Sequence, residues 1–194
     1  MMKQLFLGFL FVFVIAGGAF AQGSQPKLEA VPKVELDRYL GKWYEIAKYP
    51  NKFQKQCVGN TTATYSRKQN GRLEVLNECL KKDGTMEAAK GEAKIADKQT
   101  NSKLKVRFAP GFISFLPFVW ANYWVIDLAP DYSYAVIGEP NRDYFWILAR
   151  EPEMDDATYQ QILRKAESMG FNPGRVEKTP QGVETIRGGV LNRS

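Results

Sequence analysis

The chain contains no histidine. That absence excludes a histidine general base, a Ser-His-Asp triad, histidine-ligated zinc and histidine-ligated haem. Cysteine is scarce: Cys57 and Cys79 are the two present. Neither lies near the apolar N-terminus, so the expected mature N-terminus carries no bacterial lipid anchor. A concentrated basic patch is missing too. The formal charge is +6, or +5 without Lys3, and Lys and Arg are scattered along the chain. With no nucleic-acid motif, this reads as a solvated surface and no nucleic-acid partner is expected. The apolar run from Leu5 to Ile15 is shorter than the ~20 residues a membrane helix needs.

That run has another reading. Met1-Met2-Lys3-Gln4 is a short basic region and Ala19-Phe20-Ala21 a small-x-small cleavage site. Residues 1–21 therefore read as a signal peptide, and export to the periplasm or the medium follows. Residues 22–34, polar and Pro-containing, read as a flexible lead-in; 35–176 as one folded domain; 177–194, Gly-rich and polar, as a disordered tail. In an oxidising compartment Cys57 and Cys79 can pair, closing a loop of about 22 residues worth roughly 3 kcal/mol. Two free thiols are the alternative.

The folded part is organised around Gly41-Lys42-Trp43-Tyr44-Glu45-Ile46-Ala47-Lys48-Tyr49-Pro50. Its aromatic and apolar alternation predicts a strand over about 43–50, ended by a proline that has no N–H for a ladder. Simple alternation puts Trp43, Glu45, Ala47 and Tyr49 on one face, and Tyr44, Ile46 and Lys48 on the other. Further strands are expected at 61–66, 73–79, 86–95, 103–108, 120–128, 134–138 and 143–150, with Asn70-Gly71 as a tight hairpin. Eight antiparallel strands leave no edge when they close. The predicted fold is all-β, an eight-stranded antiparallel up-and-down barrel. Glu35 to Leu40 forms a helical turn over one end. Asp155 caps a helix to about Met169, stopped by Gly170. Its stripe Tyr159, Ile162, Leu163 and Ala166 packs on the barrel's outside.

With these residues in place the chain resembles the lipocalins, and among them the bacterial lipocalin and apolipoprotein D group. The resemblance covers about 32–176 and rests on three motifs: Gly41-x-Trp43, the turn Pro130-Asp131-Tyr132 and Arg150. The first position of the turn departs from the family's Thr. The resemblance implies that the three meet at one barrel end, with Arg150 over the face of Trp43. It also implies an interior that holds one small hydrophobic ligand.

If Arg150 faces inward, so do Leu148, Trp146 and Tyr144, by the two-residue period. Tyr123 and Val125 join them, with Trp124 and Ile126 under the helix. Leu73, Val75 and Asn77, then Leu104, Val106 and Phe108, complete the wall. Small residues at Ala47, Ala63 and Ala135 leave room, and Phe53 is the large apolar residue of the first mouth loop. The alternative is that these side chains simply fill the barrel. Tyr123, Tyr144 and Asn77 are polar handles for a ligand.

The leading function is binding and transport or storage of a fatty acid, lysophospholipid or related lipid, with no metal and no cofactor, in the service of membrane maintenance. Other readings are an enzyme acting on a bound lipid or isoprenoid, with Glu45 as acid or base, and a scaffold binding a protein through the apolar loop 110–119. That loop, with Lys52, Lys55, Lys81, Lys82 and Arg142 nearby, also suggests transient contact with an anionic membrane. Oligomeric state is not legible.

Overall fold

The computed structural model describes residues 26–108, 116, 119–186 and 189–191, from 185 onward as backbone. The expected signal segment and nearly all of the apolar loop 110–119 lie outside the described residues. Eight strands, β1 (Gly41–Lys48), β2 (Cys57–Arg67), β3 (Leu73–Lys81), β4 (Met86–Ile95), β5 (Lys103–Arg107), β6 (Ala121–Leu128), β7 (Tyr134–Gly138) and β8 (Phe145–Ala149), follow one another. Each pairs antiparallel with the next, and β1 pairs with both β8 and β2, which closes the barrel. A one-turn helix, α1 (Leu36–Tyr39), lies at the closed end. A longer helix, α2 (Asp156–Ser168), begins where the Asp155 side chain accepts from the Thr158 amide. Gly170 follows it with φ +86°, the left-handed conformation that ends a helix.

Two apolar clusters sit on opposite sides of the wall. The inner one joins Trp43, Tyr65, Leu73, Val75, Leu104, Val125, Ile137 and Leu148. The outer one joins Ile46, Ala47, Tyr49, Ile126, Phe145 and Ile147 to Tyr159, Ile162 and Ala166 of α2, with Leu163 and Trp124 packed against it. The helix stripe thus covers the wall as its period implies.

Simple alternation fails at one place in β1. The β1–β8 register runs Glu45↔Leu148 and then Ala47↔Ile147, so one extra residue is inserted at Ile46. A β-bulge of this kind reverses the faces beyond it. Ala47 and Tyr49 turn to the outer cluster, whereas Lys48, opposite Trp146, turns inward. Ala47 therefore does not make room in the interior. A matching bulge between Val125 and Asp127 puts Asp127 outside, where it pairs with Lys165 of α2 at 2.5 Å.

Residues 26–34 and 177–183 are more firmly attached than their polar composition suggests. In the lead-in, Leu28 is buried in the outer cluster and Val34 in the inner one. The Val31 and Val34 amides donate to the Val125 and Thr100 carbonyls. At the other end the chain does not become a loose tail at 177. A short strand, β9 (Glu177–Lys178), pairs with Ala47 and Lys48 of β1. Thr179 and Val183 are buried, and β10 (Glu184–Ile186) and β11 (Gly189–Leu191) form a hairpin. The reason is local. The β1–β2 ladder stops at Tyr44↔Thr62, and the strand edges beyond it need partners. Gln181 spans that gap, its Nε2 donating to the carbonyls of Glu45 and Thr61. Gly59 admits the segment: a Cβ there would lie 2.7 Å from the Pro180 carbonyl oxygen.

Candidate functional site: the barrel interior and its mouth

The three sequence motifs converge at the closed end. Arg150 lies over Trp43, its guanidinium carbon 3.7 Å from a ring centroid. It also donates to the carbonyls of Lys42, Arg38 and Leu40 at 2.6–3.0 Å. The Trp43 indole N–H donates to the Tyr39 carbonyl at 2.8 Å. Gly41, at φ +93°, lets the chain turn from α1 into β1 beneath Arg150. In the turn, Asp131 accepts from the Ser133 amide and hydroxyl, and the Tyr132 hydroxyl accepts from the Glu35 amide. Gly41, Trp43, Asp131, Tyr132 and Arg150 therefore build a floor.

Three tyrosines stand on that floor. The Tyr123 hydroxyl lies 2.7 Å from that of Tyr39 and 2.8 Å from that of Tyr65. Burial raises all three above the ordinary tyrosine range, Tyr65 to about 12, so they are neutral hydroxyls at pH 7. Tyr123 is thus already engaged by neighbours rather than free to meet a ligand. Tyr39 and Tyr65 were not singled out in the sequence; for Tyr65 the signal was available, since it shares a face with Ala63 two residues earlier.

Above the tyrosines the wall is apolar. Leu73, Val75, Leu104, Val125, Ala135 and Leu148 are buried in the inner cluster, with Ala63, Val106 and Trp146 packed against it. Asn77 continues the face of Leu73 and Val75, and its cross-strand partners are Ala63 and Ala89. β4 narrows the wall: its inner positions are Ala93, Gly91 and Ala89, of which Ala93 is fully buried and Ala89 exposed.

Two large apolar side chains, Phe108 of the expected wall and Phe53 of the first mouth loop, are exposed. Phe108 is 45% exposed and Phe53 62% exposed. Strand pairing ends at Arg107, and the Phe108 ring lies over Gly91, where a Cβ would come within 2.8 Å of it. Phe53 sits on the first mouth loop against Tyr144, which in turn stacks on Trp146 with centroids 5.8 Å apart. Phe53, Tyr144 and Trp146 form an aromatic row descending into the mouth.

Beside that row is a polar cluster. Glu45 is buried, its side chain 4% exposed. It accepts from Gln54 Nε2 and Thr179 Oγ1, both at 2.6 Å, and Lys48 Nζ lies 3.4 Å away. Gln54 Oε1 accepts from the Trp146 indole and from Asn51. Glu45 is therefore inside the barrel as expected, but both of its oxygens are occupied by neutral donors. That arrangement orients Gln54 and Trp146; it leaves the carboxylate poorly placed to take a proton from a substrate. Lys48 and Thr179 escape the sequence pattern because the bulge and the C-terminal strap, residues 177–183, that place them are set by pairing, and Gln54 because it lies on a loop with no regular period.

The bridge between Cys57 and Cys79 is formed, with Cα atoms 5.6 Å apart, and ties the start of β2 to β3 beside the mouth. Of the cations expected around the mouth, Lys52, Lys55 and Lys82 are exposed. Arg142 instead turns away to donate to the Met169 and Pro140 carbonyls. Among the described residues no group of three metal-ligating side chains comes together.

Comparison with known proteins bears on this arrangement. A lipocalin-like domain model matches residues 34–181. Temperature-induced lipocalin-1 of Arabidopsis thaliana is 41% identical over 160 residues, 81% of this chain and 85% of that protein. Outer membrane lipoprotein Blc of Escherichia coli K12 is 37% identical over 143 residues, 73% of this chain and 76% of that protein. Apolipoprotein D of Mus musculus is 35% identical over 174 residues, 85% and 86% of the two chains. Among solved structures, insecticyanin from the tobacco hornworm Manduca sexta superimposes with a TM-score of 0.63 at 22% identity, covering 81% of this chain and 86% of that one.

Proposed function

The chain belongs to the lipocalin family, whose members bind small hydrophobic ligands, and from that premise we propose that it carries a single-chain lipid in its barrel. The ligand class is a fatty acid, lysophospholipid or related amphiphile. One observation carries the reading: the interior is graded. It is apolar and buried at Ala93, Val75 and Leu104, exposed at Ala89, and polar at Glu45, Lys48 and Gln54. An acyl chain with a polar head matches that gradient end to end. Burying roughly 300 Å² of chain would supply about 7 kcal/mol before entropy costs. The lining residues are then Ala63, Leu73, Val75, Asn77, Leu104, Val106, Val125, Trp146 and Leu148, with Tyr123 below and Tyr144, Phe53 and Phe108 at the rim.

The engagement of Glu45 favours carriage over chemistry. The Cys57–Cys79 bridge supports export into an oxidising compartment, as the N-terminal segment suggests. The exposed lysines of the mouth loops suit transient docking on an anionic membrane from which lipid is drawn. The test is mass spectrometry of a solvent extract from protein purified without detergent. A near-stoichiometric acyl lipid supports carriage. A clean extract, together with failure of the stripped protein to take up added lysolipid or fatty acid, removes it.

A further inference from the structure

The outer wall formed by β4 and β5 carries charges that the fold itself does not call for. Ala93 and Val106 point into the barrel, so Lys94 and Lys105, next along and directly opposite each other, point out. Like charges facing each other across a ladder are destabilising. Lys103 shares that face on β5 and Lys90, exposed, shares it on β4. Lys94 Nζ lies 4.3 Å over the Trp120 ring and Lys103 Nζ 4.4 Å over the Trp124 ring. The carboxylates of this region are engaged elsewhere. Glu92 pairs with Lys68, Arg72 and Arg107, Glu87 accepts from Gln56, and Asp97 accepts from Gln99 and Thr100. Among the described residues no carboxylate forms an ion pair with Lys90, Lys94 or Lys105.

The far side of the barrel has the opposite sign. In the closed strand order β4 stands four places from β8 in either direction, and α2 packs over β8 together with β1, β6 and β7. Residues 86–107 carry six Lys and Arg against three Asp and Glu, whereas residues 151–169 carry five Asp and Glu against two Lys and Arg. The barrel is therefore polarised across its width.

We propose that the β4–β5 wall is a docking face for an anionic bilayer, so that the barrel lies on its flank with α2 turned away. This rests on the docking reading above and moves the contact from the mouth rim to the flank. Two features choose a bilayer over a protein. A stable protein interface is built around an apolar, aromatic centre. Among the described residues the exposed large apolar side chains are Phe53, Met86 and Phe108, and none stands among these lysines. The two tryptophans are already capped by Lys94 and Lys103. Anionic head groups, by contrast, need no complementary shape. They are mobile charges that gather between Lys94 and Lys105 and relieve the repulsion of the pair, and each lysine is drawn by the surface potential within a Debye length. Tryptophan rings beside lysine ammoniums are also the combination that suits head-group depth.

The test is sedimentation of the protein with vesicles of phosphatidylcholine and phosphatidylglycerol, against phosphatidylcholine alone, at low and physiological salt. The wild-type protein sediments with the anionic vesicles and is released by salt. Lys94→Glu with Lys105→Glu weakens this by about tenfold or more, whereas Lys52→Glu with Lys55→Glu at the rim weakens it less. Lys94→Gln with Lys105→Gln moves binding in the same direction and carries the comparison if charge reversal disturbs the fold. Lys105→Glu alone turns a repulsive pair into an attractive one, so its Tm rises while vesicle binding falls. The inference is overturned if the wall variants bind as the wild type does, if the rim variant loses more than the wall variant, or if Tm falls in Lys105→Glu, which would give these lysines a purely structural role. It is overturned equally by a concentration-dependent dimer that forms without vesicles and is lost in Lys94→Glu with Lys105→Glu, which would make the acidic side of a second copy the partner. Absence of vesicle binding by the wild-type protein ends the docking reading altogether and leaves lipid carriage to be judged by the solvent extract.

Discussion

Arg150 covers the face of Trp43 at 3.7 Å and in the same position satisfies three carbonyls, those of Lys42, Arg38 and Leu40. One side chain thus pins the last strand, the first strand and the helical turn between them. Arg150→Ala is expected to lower stability by about 2–4 kcal/mol, from the lost cation–π contact and charge-assisted hydrogen bonds. Arg150→Lys recovers little of this, since an ammonium cannot fork to three acceptors over a ring. Urea denaturation of the two variants measures it. Ligand affinity changes less, because the floor lies far from the mouth.

The tyrosine cluster makes the barrel sensitive to alkali. Tyr65 is pushed up to about 12, mainly by burial, whereas an unfolded tyrosine ionises near 10. The folded state therefore keeps its proton while the unfolded state loses one, and stability falls as pH rises from about 10 to 12. Melting curves across that range should show the fall, and Tyr65→Phe should flatten it. An unchanged slope in Tyr65→Phe would show that the drop arises elsewhere.

Trp146 reports on the mouth. Its indole donates to Gln54 and its ring stacks on Tyr144. Adding an acyl ligand should change tryptophan emission, and Trp146→Phe should abolish most of that change while keeping the far-ultraviolet spectrum. A full response in the variant would assign the signal to another tryptophan.

Cys57 and Cys79 should give no free thiol in denaturant without reductant. Replacing both by serine should cost about 3 kcal/mol, measured by urea denaturation, since the bridge closes a loop of 22 positions.

Gln181 stands in for ladder bonds that β1 and β2 do not make with each other. Gln181→Ala leaves two strand carbonyls without their donor and should cost about 1–3 kcal/mol. Hydrogen exchange should rise locally, at the Thr179 and Asn60 amides that the strap holds.

Much of the barrel could be read from local pattern. Leu104 and Val106 alternate with lysines, Asn70-Gly71 marks a hairpin, and Asp155 and Gly170 bracket a helix; each is a statement about neighbours in sequence. What escaped was set by partners far away. The extra residue at Ile46 has no marker of its own, because a bulge is a property of the β1–β8 pair. That single insertion sent Ala47 out and Lys48 in. Leu28 and Val34 are isolated apolar residues in a polar stretch, and their burial depends on surfaces that only the closed barrel presents. Gln54 reaches Glu45 from a loop with no regular period. The floor was legible because its motifs are compact; the polar half of the interior was not, because it is assembled from four separate segments.

The strap also fixes an order of events. Thr179 meets Glu45 across 134 positions, and Gln181 meets the Glu45 carbonyl across 136. A chain emerging from its N-terminus completes β1 through β8 while the seam beside Glu45 is still a slit. Contacts of such long range carry the largest closure entropy and come late in folding. A chain nicked by a protease after α2 is therefore expected to lose the donors that the Glu45 and Thr61 carbonyls and the Glu45 carboxylate receive from residues 179 and 181.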